Sequence, residues 1–306
     1  MNKKGFLQIS FQWLFAIIVG AIILFLAIYA VSKFSSTNEA TSGTKINAQL
    51  SALLNPLESS FETSKITPLN LGTETRIYPL CDSDGGFGIQ SIKTSQKSFN
   101  KWSTPGIGSN VKNRYLFLEN PVQGKNFYVF SKPFEFPFKI TDLMYIISEN
   151  DNYCFKNAPS NIKEEIIQLK PKSIFIEDCP DNSIKVCFNM GVCDINVNTN
   201  SNYVQKNNTI MYFEEDSLMY ATIFSPKQYY ECQLNRLISR EKILIDIYIE
   251  KADIISNQKC YSSIKNELIE LKNLLNNFRD SDDLSSIYSK IISINNKNKN
   301  SKCRLW

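Results

Sequence analysis

Phe11-Gln12-Trp13-Leu14-Phe15-Ala16-Ile17-Ile18-Val19-Gly20-Ala21-Ile22-Ile23-Leu24-Phe25-Leu26-Ala27-Ile28-Tyr29-Ala30-Val31 decides how this chain is built. Only Gln12 and Gly20 interrupt the apolar run, and no charged residue occurs from Gly5 to Ser32. A helix needs about 20 residues to cross roughly 30 Å of hydrocarbon, whereas the apolar core of a cleaved secretory signal has only about 7 to 15. The run therefore predicts a retained transmembrane helix over residues 11-33, with the lipid bilayer as its partner. Lys3, Lys4 and the terminal amine precede it and Lys33 follows it. The positive-inside bias then leaves residues 1-10 in the cytoplasm and the remainder outside. Cys81, Cys154, Cys179, Cys187, Cys193, Cys232, Cys260 and Cys303 all follow the span. An even number of cysteines in an oxidising compartment reads as disulfides.

Composition agrees with a folded outer part. The 306 residues are 43% hydrophobic, 12% aromatic and 21% charged, usage too apolar for a disordered chain. There is no histidine, which removes Ser/His and Cys/His dyads, the H-E-x-x-H zinc helix and every His-ligated metal centre. The net charge of +4 is largely Lys3, Lys4 and Lys33 at the ends of the span. No bulk electrostatic case for nucleic acid is left.

Beyond the span the residue pattern divides the chain into three. Residues 34-66 open with a small polar stretch, Ser35 to Thr44, read as a stalk or break. An amphipathic helix follows from Ile46 to Phe61, with Leu50, Leu53, Leu54, Leu57 and Phe61 on one stripe and Pro56 able to kink it. That stripe packs on the head or on a neighbouring copy. Residues 67-224 show short apolar runs between turn residues, among them Arg76-Ile77-Tyr78, Arg114 to Leu118 and Phe127 to Phe130, and predict a β-rich head. Lys206-Asn207-Asn208 reads as a hairpin turn because Asn tolerates positive φ. Asn161 with Glu164 reads as a capping box opening one helix.

Residues 225-306 read as helical, with Ser225 as N-cap and Pro226 at the first helical position. Tyr230, Leu234, Leu237, Ile245, Tyr248, Ala252 and Ile255 form one stripe to about Ser256. Ile264, Leu268, Leu271, Leu275 and Phe278 form a coiled-coil-like seam, and a third helix runs from Asp283 to Ile294. Short loops predict an antiparallel hairpin or three-helix unit, with residues 295-302 fraying unless Cys303 is tethered. The fold class is thus α+β. In an up-down-up arrangement Cys260 and Cys303 come to the same end and pair. Cys232, at the far end of the first helix, then needs a partner in the head such as Cys154.

Catalytic and ligand templates find little. Cys179, Cys187 and Cys193 are spaced wrongly for structural zinc, and disulfides are the better reading. Asp82-Ser83-Asp84-Gly85-Gly86 opens like a calcium loop, but Lys93 stands where the bidentate acid belongs. Gly106-Ile107-Gly108 lacks the third glycine of a dinucleotide fingerprint. Glu164/Glu165 and Glu214/Glu215 are the paired acids a carboxylate hydrolase would need, or else solvated faces. Phe134, Phe136 and Phe138 share one face of an extended segment bounded by Pro133 and Pro137, as core rings or as a docking edge for a partner. Asn207-Asn208-Thr209 is the one glycosylation sequon. No cofactor or metal is expected.

Lys3-Lys4-Gly5 followed by Gln8-Ile9-Ser10-Phe11-Gln12-Trp13-Leu14-Phe15 resembles the class III signal peptide of archaeal type IV pilin-like proteins, over about the first 33 residues. The resemblance implies prepilin-peptidase processing after Gly5 and self-association through the apolar helix inside a filament. More loosely, Phe127 to Leu143 with the cysteine-rich remainder resembles uncharacterised single-pass surface proteins of small-genome archaea. The expectation is a non-enzymatic, membrane-anchored extracellular surface protein, pilin-like or a structural or binding ectodomain. A true filament subunit and a membrane-tethered carboxylate-dependent hydrolase are its alternatives.

Overall fold

A computed structural model describes residues 11–54, 66–84, 87–98, 100–111, 114–257, 260 and 264–306. Its first element, α1 (Phe11–Leu54), is one uninterrupted helix of 44 residues. The expected break at Ser35 to Thr44 is absent. That stretch holds no proline and a single glycine. Extending a formed helix through Ser, Thr and Asn costs only a few tenths of a kcal/mol each, and Gly about 1, whereas a second helix would need a second nucleus. Leu50, near its end, is fully buried. The rest of the predicted 46–61 stripe lies outside the described side chains.

The strands form two sheets. The first contains β1 (Ile66–Asp82), β2 (Ile89–Ser98), β3 (Lys101–Trp102), β4 (Ser109–Val111), β5 (Tyr115–Phe117), β6 (Val122–Glu135) and β7 (Lys139–Ser148). Their order is β3-β2-β1-β6-β7-β5, with β4 on β2. Period-two alternation splits it cleanly: Tyr115, Phe117, Phe130, Leu143 and Tyr145 face one core, while Leu116, Leu118, Val129, Met144 and Ile146 face another. Leu50 of α1 is a member of that second core, so the apolar helix is packed directly onto the head.

The second sheet contains β8 (Tyr153–Lys156), β9 (Ile174–Ile176), β10 (Ile184–Phe188), β11 (Ile195–Asn198), β12 (Tyr203–Lys206) and β13 (Thr209–Tyr212). Its order is β13-β12-β11-β10-β8-β9, with parallel pairing of β9, β8, β10 and β11 in turn. Helix α2 (Ser160–Leu169) connects the parallel neighbours β8 and β9, since a parallel pair needs a crossover rather than a tight turn. Asn207 and Asn208 form the predicted two-residue hairpin turn, with φ of 49° and 58°. The capping box is not formed: Pro159 takes the N-cap position of α2 with no side-chain cap, and Asn161 instead donates to Asp216 at 3.2 Å.

Helical structure begins earlier than expected, with α3 (Glu215–Phe224). Every residue from Ser217 to Phe224 is buried, and a helix buried all round carries no polar face to give it a period. Ser225 therefore ends α3 rather than starting its successor, and its Oγ donates back to the Ala221 carbonyl at 2.6 Å. Pro226 supplies the carbonyl accepting from Tyr229 and Tyr230 as α4 (Lys227–Asn257) begins. Then come α5 (Ile264–Asn276), a short 3-10 turn Ser281–Asp283 and α6 (Leu284–Asn300). The stripes expected on these helices are buried or half-buried. Cys303 is tethered to Cys260, and α6 continues through Asn300, as expected of a tethered tail. Asn298 is buried, receiving the Leu305 amide on its Oδ1 at 2.8 Å and donating to the Trp306 carbonyl at 3.0 Å. One continuous core runs from the first sheet through the second sheet into α4, α5 and α6. The boundary at 225 thus separates stretches of sequence and not two cores.

Candidate functional site

All eight cysteines are paired: Cys81–Cys232, Cys154–Cys179, Cys187–Cys193 and Cys260–Cys303. The Cys260–Cys303 bridge is the one reasoned from helix direction. Cys232 does reach into the head, but its partner is Cys81 on β1, because the start of α4 packs on the first sheet. Cys154 instead joins Cys179, 25 residues away across the α2 crossover.

The aromatic run is buried. Phe134 stacks on Phe136 at 5.3 Å, Phe136 on Tyr288 of α6 at 6.1 Å, and Phe138 lies 4.2 Å from Tyr248 and 5.5 Å from Trp306. Among the described residues β1 pairs with β6 as far as Phe130, and Pro133 pairs with β7 alone. What the run docks is the chain's own helical unit, which corrects the reading as an exposed edge for another molecule.

The paired acids separate on folding. Glu164 is exposed, while Glu165 accepts from Lys132 at 2.8 Å and from the Tyr220 hydroxyl at 2.9 Å. Glu214 is buried at the start of α3, where burial pushes its carboxyl up to about 7 against the opposing bond from Asn202. Glu215 turns away to accept from Tyr288. Asp82 accepts the Asp84 amide in a local turn and is exposed. Among the described residues no cluster of three or more metal-ligating side chains occurs. Gly5 lies outside the described residues.

Carboxylates do meet elsewhere. A hollow of about 370 Å³ between the two sheets is lined by Glu119, Asp151, Tyr153, Asp194, Lys206 and Asn207, among others. Lys206, only 9% exposed, ion-pairs with Glu119 and donates to the Ile223 carbonyl at the end of α3 at 3.0 Å. Burial, and then the charge of Glu119, push the Asp151 carboxyl up to about 6. Asp194 accepts the Lys185 amide at 2.8 Å. The hollow thus offers one carboxyl that holds its proton to about pH 6 beside a lysine-held carboxylate, with the sequon Asn207 at its rim. Sequence reasoning missed these residues because they are scattered from 119 to 206 on loops and strand ends, with no periodic spacing to join them.

The largest buried polar group ties α4 to the first sheet. Arg236 donates from Nη1 to Gln233 Oε1 at 2.7 Å and to the Arg114 carbonyl at 3.1 Å, from Nε to the Phe87 carbonyl at 3.0 Å, and lies 4.7 Å over the Tyr115 ring. Burial lowers its pKa. Gly88, with φ of +62°, admits the approach: a Cβ there would meet Arg236 Cγ at 2.7 Å and the Asp82 carbonyl at 2.5 Å. These contacts are structural, because the guanidinium is satisfied inside the protein. Compared with known proteins, the chain matches no family model, no curated protein and no solved structure.

Proposed function

We propose that this chain is a non-enzymatic, single-pass membrane-anchored surface protein, with residues 1–10 cytoplasmic and all that follows the span outside the cell. The observation that carries this reading is the Gln12–Val31 window, of mean hydropathy 3.0, none of which is buried inside the protein. Such a helix needs a bilayer or other copies of itself as cover. Support for the outer location comes from four disulfides, which persist in oxidising compartments. The three C-terminal helices then serve as an antiparallel unit bracing the head. Lys265 pairs with Asp253 and Lys272 with Asp246, so the numbering of α5 rises as that of α4 falls.

A filament subunit is the second reading, favoured by helix length. Forty-four residues span roughly 66 Å at 1.5 Å each, about twice the hydrocarbon thickness. The part of α1 between the apolar window and the Leu50 contact with the head is then available to line neighbouring copies, in keeping with the class III signal that Lys3-Lys4-Gly5 resembles.

Two measurements test these readings. A membrane-impermeant thiol reagent, applied to intact cells after reduction, should label the cysteines without permeabilisation. Labelling only after the membrane is opened reverses the topology. N-terminal sequencing of the native protein separates the rest: Met1 supports a static anchor, a start at Phe6 or Gln8 the filament route, and a start near Phe34 sinks anchoring altogether.

A further inference from the structure

The outer face of the second sheet carries an arrangement that neither the anchor nor the core requires. Strand register places Lys156, Cys187, Asn196, Gln205 and Ile210 in one cross-strand row. Asn198, Tyr203 and Tyr212 form the next row, about 7 Å away at roughly 3.4 Å per residue. The opposite face is Val186, Ile195, Val197, Val204 and Met211, all buried. At one end of the outer face lies a hollow of about 390 Å³, and none of the residues lining it carries a charge.

Its walls are held in place from within. The Cys187–Cys193 bridge closes a loop of sequence separation 6. Gly191 makes that loop possible, with φ of +111° and a hypothetical Cβ only 3.0 Å from Cys187 Sγ. The loop presents Met190, 71% exposed, and Val192, fully exposed. Asn196 both accepts from the Cys193 amide and donates to its carbonyl, at 3.2 and 3.1 Å. Asn198 accepts from the amides of Asn200 and Ser201 and donates to the Tyr203 hydroxyl at 3.3 Å. The Tyr203 hydroxyl, already accepting, keeps its proton to donate outward, and each asparagine keeps one amide hydrogen. Gln205 is exposed and makes no side-chain hydrogen bond among the described residues.

We infer that this hollow binds a neutral carbohydrate. Planar amides offer donor and acceptor together, which matches sugar hydroxyls that are both. The Tyr203 ring, with Tyr212 at 6.1 Å, supplies the electron-rich face that the C–H side of a pyranose prefers. An anionic or cationic ligand would find no counter-charge in the lining itself, Lys156 standing one strand beyond Cys187 and outside it. The volume falls within the roughly 300 to 1,000 Å³ typical of small-ligand sites, whereas a stable protein partner would need contact over about 1,000 Å² or more. Fixed asparagine amides and a clamped loop mean that, Gln205 apart, little side-chain freedom is lost on binding. The inference stands independently of the topology proposed above.

The test uses the full chain in phospholipid nanodiscs, free of glycoside detergents. The probes are immobilised linear oligomers of glucose, mannose, galactose and N-acetylglucosamine, with sialylated and uronic acid oligomers as charged comparators. At least one neutral series should be retained, and Gln205→Ala and Tyr203→Ala should each weaken retention by about tenfold, with Ile167→Ala on α2 leaving it unchanged. Gln205 is exposed, so its variant keeps the test valid even where Tyr203→Ala fails to fold. No retention of any neutral series, retention of charged oligomers alone, or neutral retention unmoved by Gln205→Ala would each overturn the inference. A response to Ile167→Ala equal to that of Gln205→Ala would also overturn it.

Discussion

Glu241 is fully buried in the middle of the inward face of α4, and neither of its carboxyl oxygens has a hydrogen-bond partner among the described residues. Burial alone drives its pKa well above the ordinary carboxylate value, so the folded protein holds it as a neutral acid. Below about pH 4.3 both folded and unfolded chains are protonated and the site is harmless. As pH rises above that value the unfolded chain ionises and the folded chain does not, and stability is lost at about 1.4 kcal/mol per pH unit until the folded pKa is reached. Glu214, raised to about 7, and Asp151, raised to about 6, act in the same direction. Glu241→Leu is therefore expected to leave stability at pH 4 nearly unchanged and to raise it at pH 7 by up to about 4 kcal/mol, the ceiling set by that slope. Denaturant titrations at the two pH values check this. An equal gain at both would show that packing and not ionisation is responsible. Nothing in the local sequence, Arg240-Glu241-Lys242, marks this glutamate as buried. A charged triplet on a helix reads as solvated, and only the sheet that α4 packs against makes it otherwise.

At the scale of elements, the C-terminal helices show what a tether contributes. Cys260 precedes α5 and Cys303 follows α6, at a sequence separation of 43. Closing a loop of that length removes about 4 kcal/mol of unfolded-state entropy in the chain-entropy model. The helices have other ties: Lys290 with Glu267 at 2.5 Å and also with Glu270, Lys297 with Glu267, and Lys251 with the Leu305 carbonyl at 2.5 Å. Most of these ions are partly exposed, and such pairs contribute only a fraction of a kcal/mol each. Replacing Cys260 and Cys303 together by serine should thus lower unfolding free energy by about 2 to 4 kcal/mol. Faster hydrogen exchange should be concentrated in α5 and α6, with β8 and β10 unchanged. Uniformly faster exchange across the chain would show that the bridge supports the whole core and not its end. The pairing itself was legible in advance, because helix length and direction restrict where Cys303 can reach. The pairing of Cys81 with Cys232 was not, because it depends on which face of the head α4 lies against.

For the molecule as a whole, the decisive contact is between the apolar helix and the head. Leu50 enters a core made by Ile77, Ile92, Leu116 and Phe127, and α1 touches β2 and β4. Leu50→Ala should cost about 2 to 5 kcal/mol at this junction, as buried leucine truncations do. The expected readout is loss of exchange protection in β2 and β4, with the Cys154–Cys179 region retaining its own. Unchanged protection would mean that the helix is a passive leash. The apolar run of α1, the period-two runs, the Asn207-Asn208 turn and the 3.6-residue stripes of α4 to α6 could be read from sequence because each is a local pattern. The residues of the strands and of α4 to α6 meet solvent on one side and protein on the other, and their alternation records it, while the α1 run is apolar all round. Helix α3 left no record, being buried on all sides. Nor did the mixed pairing of the second sheet, the meeting of Glu119, Asp151 and Lys206, or the two polar rows on the outer sheet face, since each joins residues far apart in the chain. Local pattern determined most of the strands, the helices α4 to α6 and the long apolar run, though not α3 or the continuity of α1. Which of them share a core, which cysteines meet and which polar groups converge was decided only by packing, where one side chain's partner lies dozens of residues away.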